Sequence, residues 1–226
     1  MSIWTRLYVN VEGQTEKEFV DKAIKPHLSN YEIDVRPRLV VTNRKLGCRG
    51  GVVSFEVFRS DLVRLMKEDG GAEARFTTMI DLYALPKDFP GWERANTAKG
   101  APEKVALLEG ALSDSFDDSR FLPYLQLHEF EALLFCDLRE LSQRISGSQT
   151  GLALLQNDVG NLGPEEINEG AATAPSKRII NYIPIYEKNK VRVGASTAIA
   201  IGLERLRSLC PHFNSWVSRL EALGKI

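Results

Sequence analysis

Apolar positions along this chain follow two alternating rhythms: short strand-like runs, then longer stretches with apolar residues at helical spacing. Residues 3–11, with Ile3, Leu7, Tyr8, Val9 and Val11, read as a first strand. A helix is predicted from Thr15 to about Leu28, with Thr15 as N-cap and Glu16, Lys17 and Glu18 in the first turn. Phe19, Val20, Ala23 and Ile24 give its apolar face, and Pro26 is expected to end it early. Tyr31 to Thr42 reads as a second strand, Asn43 to Gly51 as a loop, and Val52 to Glu68 as a helix. In that helix Val53, Val57, Leu62 and Leu65 alternate with Glu56, Arg59, Asp61, Arg64 and Lys67. Arg75 to Leu82 is a third strand, and Ala84 to Gly100, with Pro86, Pro90 and Trp92, a loop of insertion length. Ala101 to Phe116 reads as a helix with Pro102 in its first turn, Phe121 to Leu127 as a fourth strand, and Glu129 to Leu134 as the opening of another helix. This order predicts an α/β fold, a mostly parallel sheet of four or more strands with helices on both faces.

Beyond about residue 145 the pattern turns helical. A short helix is predicted within residues 146–168, an apolar helix over 195–209 and a final short one over 216–223. The expected division is an α/β domain over 1–145 and a helical C-terminal extension over 146–226 packed on it. Neither internal repeats nor coiled-coil heptads are present.

Charge is balanced, 29 basic against 30 acidic residues in 226, so a nucleic-acid partner would have to meet a local patch. No apolar run approaches the roughly 20 residues of a membrane span, and the first residues do not read as a signal peptide. Cys48, Cys136 and Cys210 lack metal-ligand spacing and fit a reducing compartment. The expectation is a soluble cytoplasmic protein without a membrane partner, and a homo-oligomer is left open.

The chemistry-bearing residues sit where strands should end. Glu12 and Glu16 follow the run Leu7 to Val11, Asp81 ends Phe76-Thr77-Thr78-Met79-Ile80, and Glu129 and Glu131 follow Tyr124 to Leu127. In an open α/β sheet the carboxyl ends of the strands border the ligand crevice. Carboxylates gathered there make a hard oxygen site for Mg²⁺ or Mn²⁺ and point to phosphoryl-transfer chemistry. Gly13 would allow a sharp turn and close approach of a phosphate to a helix N-terminus. Glu16 could equally be a first-turn helix acid, Asp81 a turn cap, and His128 either a general acid or base or a structural imidazole. Glu129 and Glu131, two apart, would point about 200° apart on one regular helix unless the helix starts between them. Arg44, Lys45 and Arg49 around Gly50-Gly51 form one candidate phosphate clamp, and Lys177 and Arg178 with Lys188, Lys190 and Arg192 another. Cys210-Pro211-His212 lacks two further zinc ligands, so helix-end packing is expected there.

Val11-Glu12-Gly13-Gln14-Thr15-Glu16 with the strand-end Asp81 resembles the TOPRIM fold of topoisomerases, primases and OLD-type nucleases. More narrowly, the chain resembles a bacterial TOPRIM-like family described as a domain of unknown function, DUF4276. Ile80-Asp81-Leu82-Tyr83, Phe89-Pro90-Gly91, Leu127-His128-Glu129-Phe130-Glu131, Pro175-Ser176-Lys177-Arg178 and Cys210-Pro211-His212-Phe213 carry that likeness. The resemblance implies a Rossmann-like sheet and a Mg²⁺- or Mn²⁺-dependent nuclease (a hydrolase) acting on DNA or RNA, in phage defence or DNA repair. Glu12 and Glu16 would serve one ion, and Asp81 with Glu129 or Glu131 a second roughly 4 Å away, together activating a water. Glu12, Asp81 and Lys177 would be the catalytic residues, with Lys177 matching the late lysine of OLD-type nucleases. Tyr83 departs from the usual Asp-x-Asp pattern, so one ligand must come from elsewhere. The competing implication is a non-catalytic or conditional partner of an AAA-type ATPase. This chain has no Gly-x-x-x-x-Gly-Lys-[Ser/Thr] loop of its own. Transfer to a small-molecule phosphate acceptor is a third alternative.

Overall fold

The structure, a computed structural model, describes residues 4–43, 48–49, 52–83, 85–167, 170 and 172–224. Strand β1 (Thr5–Val11) leads into α1 (Gln14–Phe19), a π-helical turn (Val20–Ile24) and α2 (Lys25–Ser29). Pro26 does not end this helix, against the sequence expectation. The widened turn passes the Lys25 amide to the Val20 carbonyl, a local rearrangement of the ladder just where proline would break it. Gly13, not Thr15, is the N-cap.

Strand β2 (Ile33–Leu39) is followed by β3 (Val41–Asn43) and β4 (Cys48–Arg49), an antiparallel pair, so the single strand expected over 31–42 is two pieces and β4 falls where a loop was expected. Helix α3 (Phe55–Glu68) starts three residues later than its apolar pattern suggests. The Ser54 hydroxyl accepts from the Val57 amide at 3.3 Å and Asp88 from the Phe55 amide at 2.9 Å, so both ends of that first turn are satisfied. Then come β5 (Ala74–Asp81), α4 (Trp92–Ala95), α5 (Ala101–Asp114), β6 (Phe121–Leu122) and β7 (Leu125–Gln126). The single strand expected over 121–127 is thus two short pieces, both paired to β5.

All pairs in the main sheet are parallel, in the order β2-β1-β5-β6 with β7 also on β5. The chain moves outward from β1 to β2, then crosses back to β5. The switch point therefore falls between β1 and β5, where open α/β sheets bind ligands. Alternation on β1 divides the core. Leu7, Val9 and Val11 pack with Phe19, Val20, Ile24 and Leu28 on one face, while Phe76 and Ile80 of β5 meet Phe58, Leu62, Val105 and Leu108 on the other.

The remaining chain is helical: a 3₁₀ helix (Phe130–Cys136), α6 (Leu138–Arg144), α7 (Gln149–Val159), a 3₁₀ turn (Pro164–Glu166), α8 (Pro175–Tyr182), α9 (Tyr186–Ile201), α10 (Leu203–Leu209) and α11 (Pro211–Glu221). The helix expected over 195–209 is two, broken at Gly202, whose φ of 82° is left-handed. Residues of α8 to α11 share the core of the first sheet face, with Ile179, Val193, Leu206, Phe213, Trp216 and Leu220 packed beside Leu7 and Val9. Trp216 donates from Nε1 to the Thr77 hydroxyl at 3.0 Å and stacks on Tyr124 at 4.4 Å. Burying a ring of this kind stabilises by roughly 2–3 kcal/mol.

Candidate active site

Glu12 stands one residue past β1, its amide still in the ladder to the Met79 carbonyl at 3.2 Å. Its Oε2 accepts from the Asp81 amide at 3.0 Å, tying the two strand ends across the switch point. Asp81 closes β5, and its Oδ1 accepts from the Phe130 amide at 2.9 Å. Each carboxylate thus has one oxygen anchored by backbone, and no described hydrogen bond reaches the other.

The route from β7 into the 3₁₀ helix brings two further acids to this point. His128 takes a left-handed φ of 64°, and its carbonyl accepts from the Tyr83 amide at 2.8 Å, extending the β5–β7 contact. Glu129 then has extended backbone and Phe130 begins the helix, so the helix starts between the two acids. That start resolves the geometric objection to both Glu129 and Glu131 reaching one crevice. It also corrects the expectation of a regular helix from Glu129. The two are held differently. Glu129 uses both oxygens on α8, accepting from the Ser176 amide at 2.8 Å and hydroxyl at 3.0 Å. Glu131, 1 % exposed, gives Oε1 alone to α9: the Tyr186 hydroxyl donates at 3.0 Å and Lys190 Nζ lies at 3.1 Å. Its Oε2 is buried without a hydrogen-bond partner.

Glu16, in the first turn of α1, carries its carboxylate back toward the Gly13 and Glu16 amides, which favour its charged form. Gly13 makes room for this: a Cβ there would lie 2.9 Å from Glu16 Oε2. Its backbone is extended (φ −139°), so the glycine serves close approach and not the sharp turn expected from the sequence.

Electrostatics binds these acids into one group. Burial pushes Glu16 up to about 7, with Glu131 and Glu12 adding to the rise. Burial raises Asp81 well above an ordinary aspartate, reinforced by Glu12, Glu16, Glu131 and Glu129. Glu12 and Glu131 are raised for the same reasons, with Lys190 opposing. Burial would lower the Lys190 ammonium, but Glu131 beside it more than reverses that. These are like charges crowded in low dielectric. Among the described residues no three carboxylate, imidazole or thiol groups converge tightly enough to form a ready-made metal cage.

The basic residues named from the sequence divide. Arg44 and Lys45 lie outside the described residues, and Arg49 enters only through its strand backbone. Lys177 is exposed beside Ser176, and no described hydrogen bond or ion pair joins it to the acids. Arg178 braces α8, pairing with Asp158 and donating to the Thr173 carbonyl at 2.9 Å. Among the described residues, the cation that the fold brings to the acids is Lys190 of α9. Ser176 and Tyr186 were not singled out as site residues by sequence reasoning. The legible signal was the Tyr186–Lys190 spacing of four, which puts both on one helix face. The His128 imidazole meets the Glu165 carbonyl at 3.0 Å through Nε2. His212 and Cys210 serve packing: His212 Nε2 reaches Glu109 Oε1 at 3.1 Å, and Cys210 lies 3.4 Å from Cys136, Sγ to Sγ.

Fold and crevice together define an open, mostly parallel α/β protein with an acidic cluster at its switch point. The chain belongs to the family described as Domain of unknown function (DUF4276), whose model matches residues 11–221. No curated protein matches the chain. Among solved structures it is similar to the C-terminal region of the Xanthomonas campestris pv. campestris OLD protein, at 13 % identity and a TM-score of 0.36, over 97 % of this chain and 98 % of that one. No described helix is long and apolar enough to cross a membrane.

Proposed function

We propose that this chain is a Mg²⁺- or Mn²⁺-dependent phosphodiesterase that cleaves a nucleic-acid backbone through a TOPRIM-like site. The observation that carries the reading is the half-anchored state of three carboxylates at the switch point. Glu12, Asp81 and Glu131 are each fixed through one oxygen, and no described hydrogen bond engages the other. The donor set is all oxygen, which suits a hard divalent cation, and the buried, unpartnered Oε2 of Glu131 fits one. Glu12, Asp81 and Glu131 would hold the cation, with Glu16 close by for a second. A bound cation supplies Lewis acidity to a phosphate oxygen and a nucleophilic water at neutral pH. The chain's own residues do the rest. Glu129 holds α8 against the 3₁₀ helix, Glu16 secures the start of α1, and Lys190 offers positive charge to a phosphate group. Lys177, exposed on the same helix as Ser176, is a second phosphate contact from solvent.

The test is cleavage of plasmid, single-stranded DNA and RNA with Mg²⁺ or Mn²⁺ against EDTA, comparing wild type with Glu12→Ala. Metal-dependent cleavage that falls by about 10³-fold or more in the variant is expected. Full activity in a folded Glu12→Ala, Asp81→Ala double variant would sink the proposal. A second reading, a TOPRIM-like subunit competent only beside an AAA-type ATPase, is favoured by the spread of the carboxylates and by Tyr83. It expects cleavage only after the partner is added.

A further inference from the structure

Glu131 presents an unusual arrangement: two donors on one oxygen and none on the other. The Tyr186 hydroxyl and the Lys190 ammonium, one turn apart on α9, both meet Oε1, at 3.0 and 3.1 Å. Oε2 is buried and unpartnered. A buried carboxylate oxygen left bare is costly, so its persistence calls for a reason. The Tyr186 hydroxyl is fixed by packing. α9 approaches α1 at Gly194, where a Cβ would lie 3.1 Å from the Tyr186 hydroxyl oxygen and 3.2 Å from Thr15 Cγ2. A glycine there lets the hydroxyl, Thr15 of α1 and the Glu131 carboxylate share one small space. Tyr186 itself is fully buried.

We infer that Tyr186 is a positioning residue: its hydroxyl locks Oε1 of Glu131 so that Oε2 is presented to a divalent cation among Glu12, Asp81 and Glu131. This rests on the metal reading proposed above. Tyr186 does not touch the ion or the substrate; it acts through Glu131. Being neutral, it can be removed without altering the charge of the site. Lys190 cannot, since losing an ammonium changes repulsion toward a cation as well as geometry.

The experiment is Mn²⁺ titration of the full chain, read by loss of the free-ion electron paramagnetic signal, with no substrate present. Circular dichroism monitors folding. Wild type, Tyr186→Phe, Glu131→Gln and the double variant form a cycle. Partners that orient a metal ligand typically contribute about 10–100-fold in affinity, so Tyr186→Phe should raise the Mn²⁺ dissociation constant at least about 10-fold. In the Glu131→Gln background the same change should do nothing further, because the residue acts through that carboxylate. Gly194→Ala, which crowds the hydroxyl from the other side, should weaken binding in the same direction. Wild-type affinity in Tyr186→Phe, or an equal loss in both backgrounds, would overturn the inference and leave the metal reading standing. A wild type that binds no Mn²⁺ would overturn both.

Discussion

The two ends of the central sheet use the same residue types to opposite effect. At the amino ends of the strands, Arg6 makes a two-pronged contact with Asp69 at 2.7 and 2.8 Å, and Arg120 reaches Asp118 at 2.6 Å. Tyr8 donates to the same Asp69 and is covered by Arg36. Arg6 holds the Asp69 carboxyl well below the usual range, and Arg120 lowers Asp118 in the same way. At the carboxyl ends, Glu12, Glu16, Asp81 and Glu131 are raised by burial and by one another, with Lys190 the described cation among them. One end is closed electrostatically by the protein's own arginines. The other carries a charge deficit that a fold selected for stability alone would avoid. A charged cluster is informative about function when its acids are left above their ordinary values, not merely when it is large.

Three measurements would break or sharpen this contrast. The largest effect expected is from divalent metal. Mg²⁺ or Mn²⁺ at about a hundred times its dissociation constant should stabilise the chain by about 2.7 kcal/mol, which for this size is roughly 5–10 °C in Tm. The shift should vanish in Asp81→Asn and persist in Asp69→Asn. Equal shifts in both variants would remove the distinction between the ends. Next comes the substitution itself, in EDTA. Asp69→Asn breaks a charge-assisted pair and should cost about 1–3 kcal/mol in denaturant unfolding. Asp81→Asn keeps the acceptor for Phe130 and relieves repulsion, so it should be neutral or stabilising. A large loss at Asp81 would mean that its charge is already compensated.

The smallest effect concerns His212, beyond the reach of either cluster. Burial lowers its imidazole, but Glu109, with Glu165 and the Leu125 carbonyl, raises it above the ordinary 6.5, and Tyr124 stacks on the ring. A raised folded-state pKa means stability that is fully present below about 6.5 and lost as pH rises through the folded value. The stability difference between wild type and His212→Gln should therefore shrink from pH 6 to pH 9. A difference that stays constant would show that the pair carries no charge.

The fold class was legible because strand and helix periods alternate cleanly from Leu7 to Leu127. What escaped the pattern depends on distant contacts. The π-helical turn before Pro26 is a ladder adjustment that apolar spacing cannot register. The break at Pro123 splits a strand whose two halves still share β5. Glu12 and Asp81 could be read as neighbours because parallel strands bring their carboxyl ends together. Whether Glu129 and Glu131 could reach the same crevice turned on a left-handed His128, which nothing local demands. Ser176, Tyr186 and Lys190 arrive on helices docked from 164 or more residues beyond Glu12, and no periodicity encodes that docking.

The position of α9 also bears on how the protein is made. Synthesis delivers β1, β5 and the 3₁₀ helix, with all five carboxylates, well before Lys190 leaves the ribosome. A nascent chain of that length has a crowded anionic crevice with no described cation partner and no Tyr186 to fix Glu131. The crevice is completed only when Gly194 lets α9 settle against α1, after residues 186–201 have emerged. A site with the chemistry proposed for it would stay unarmed while the chain is still surrounded by the messenger and ribosomal RNA that produced it.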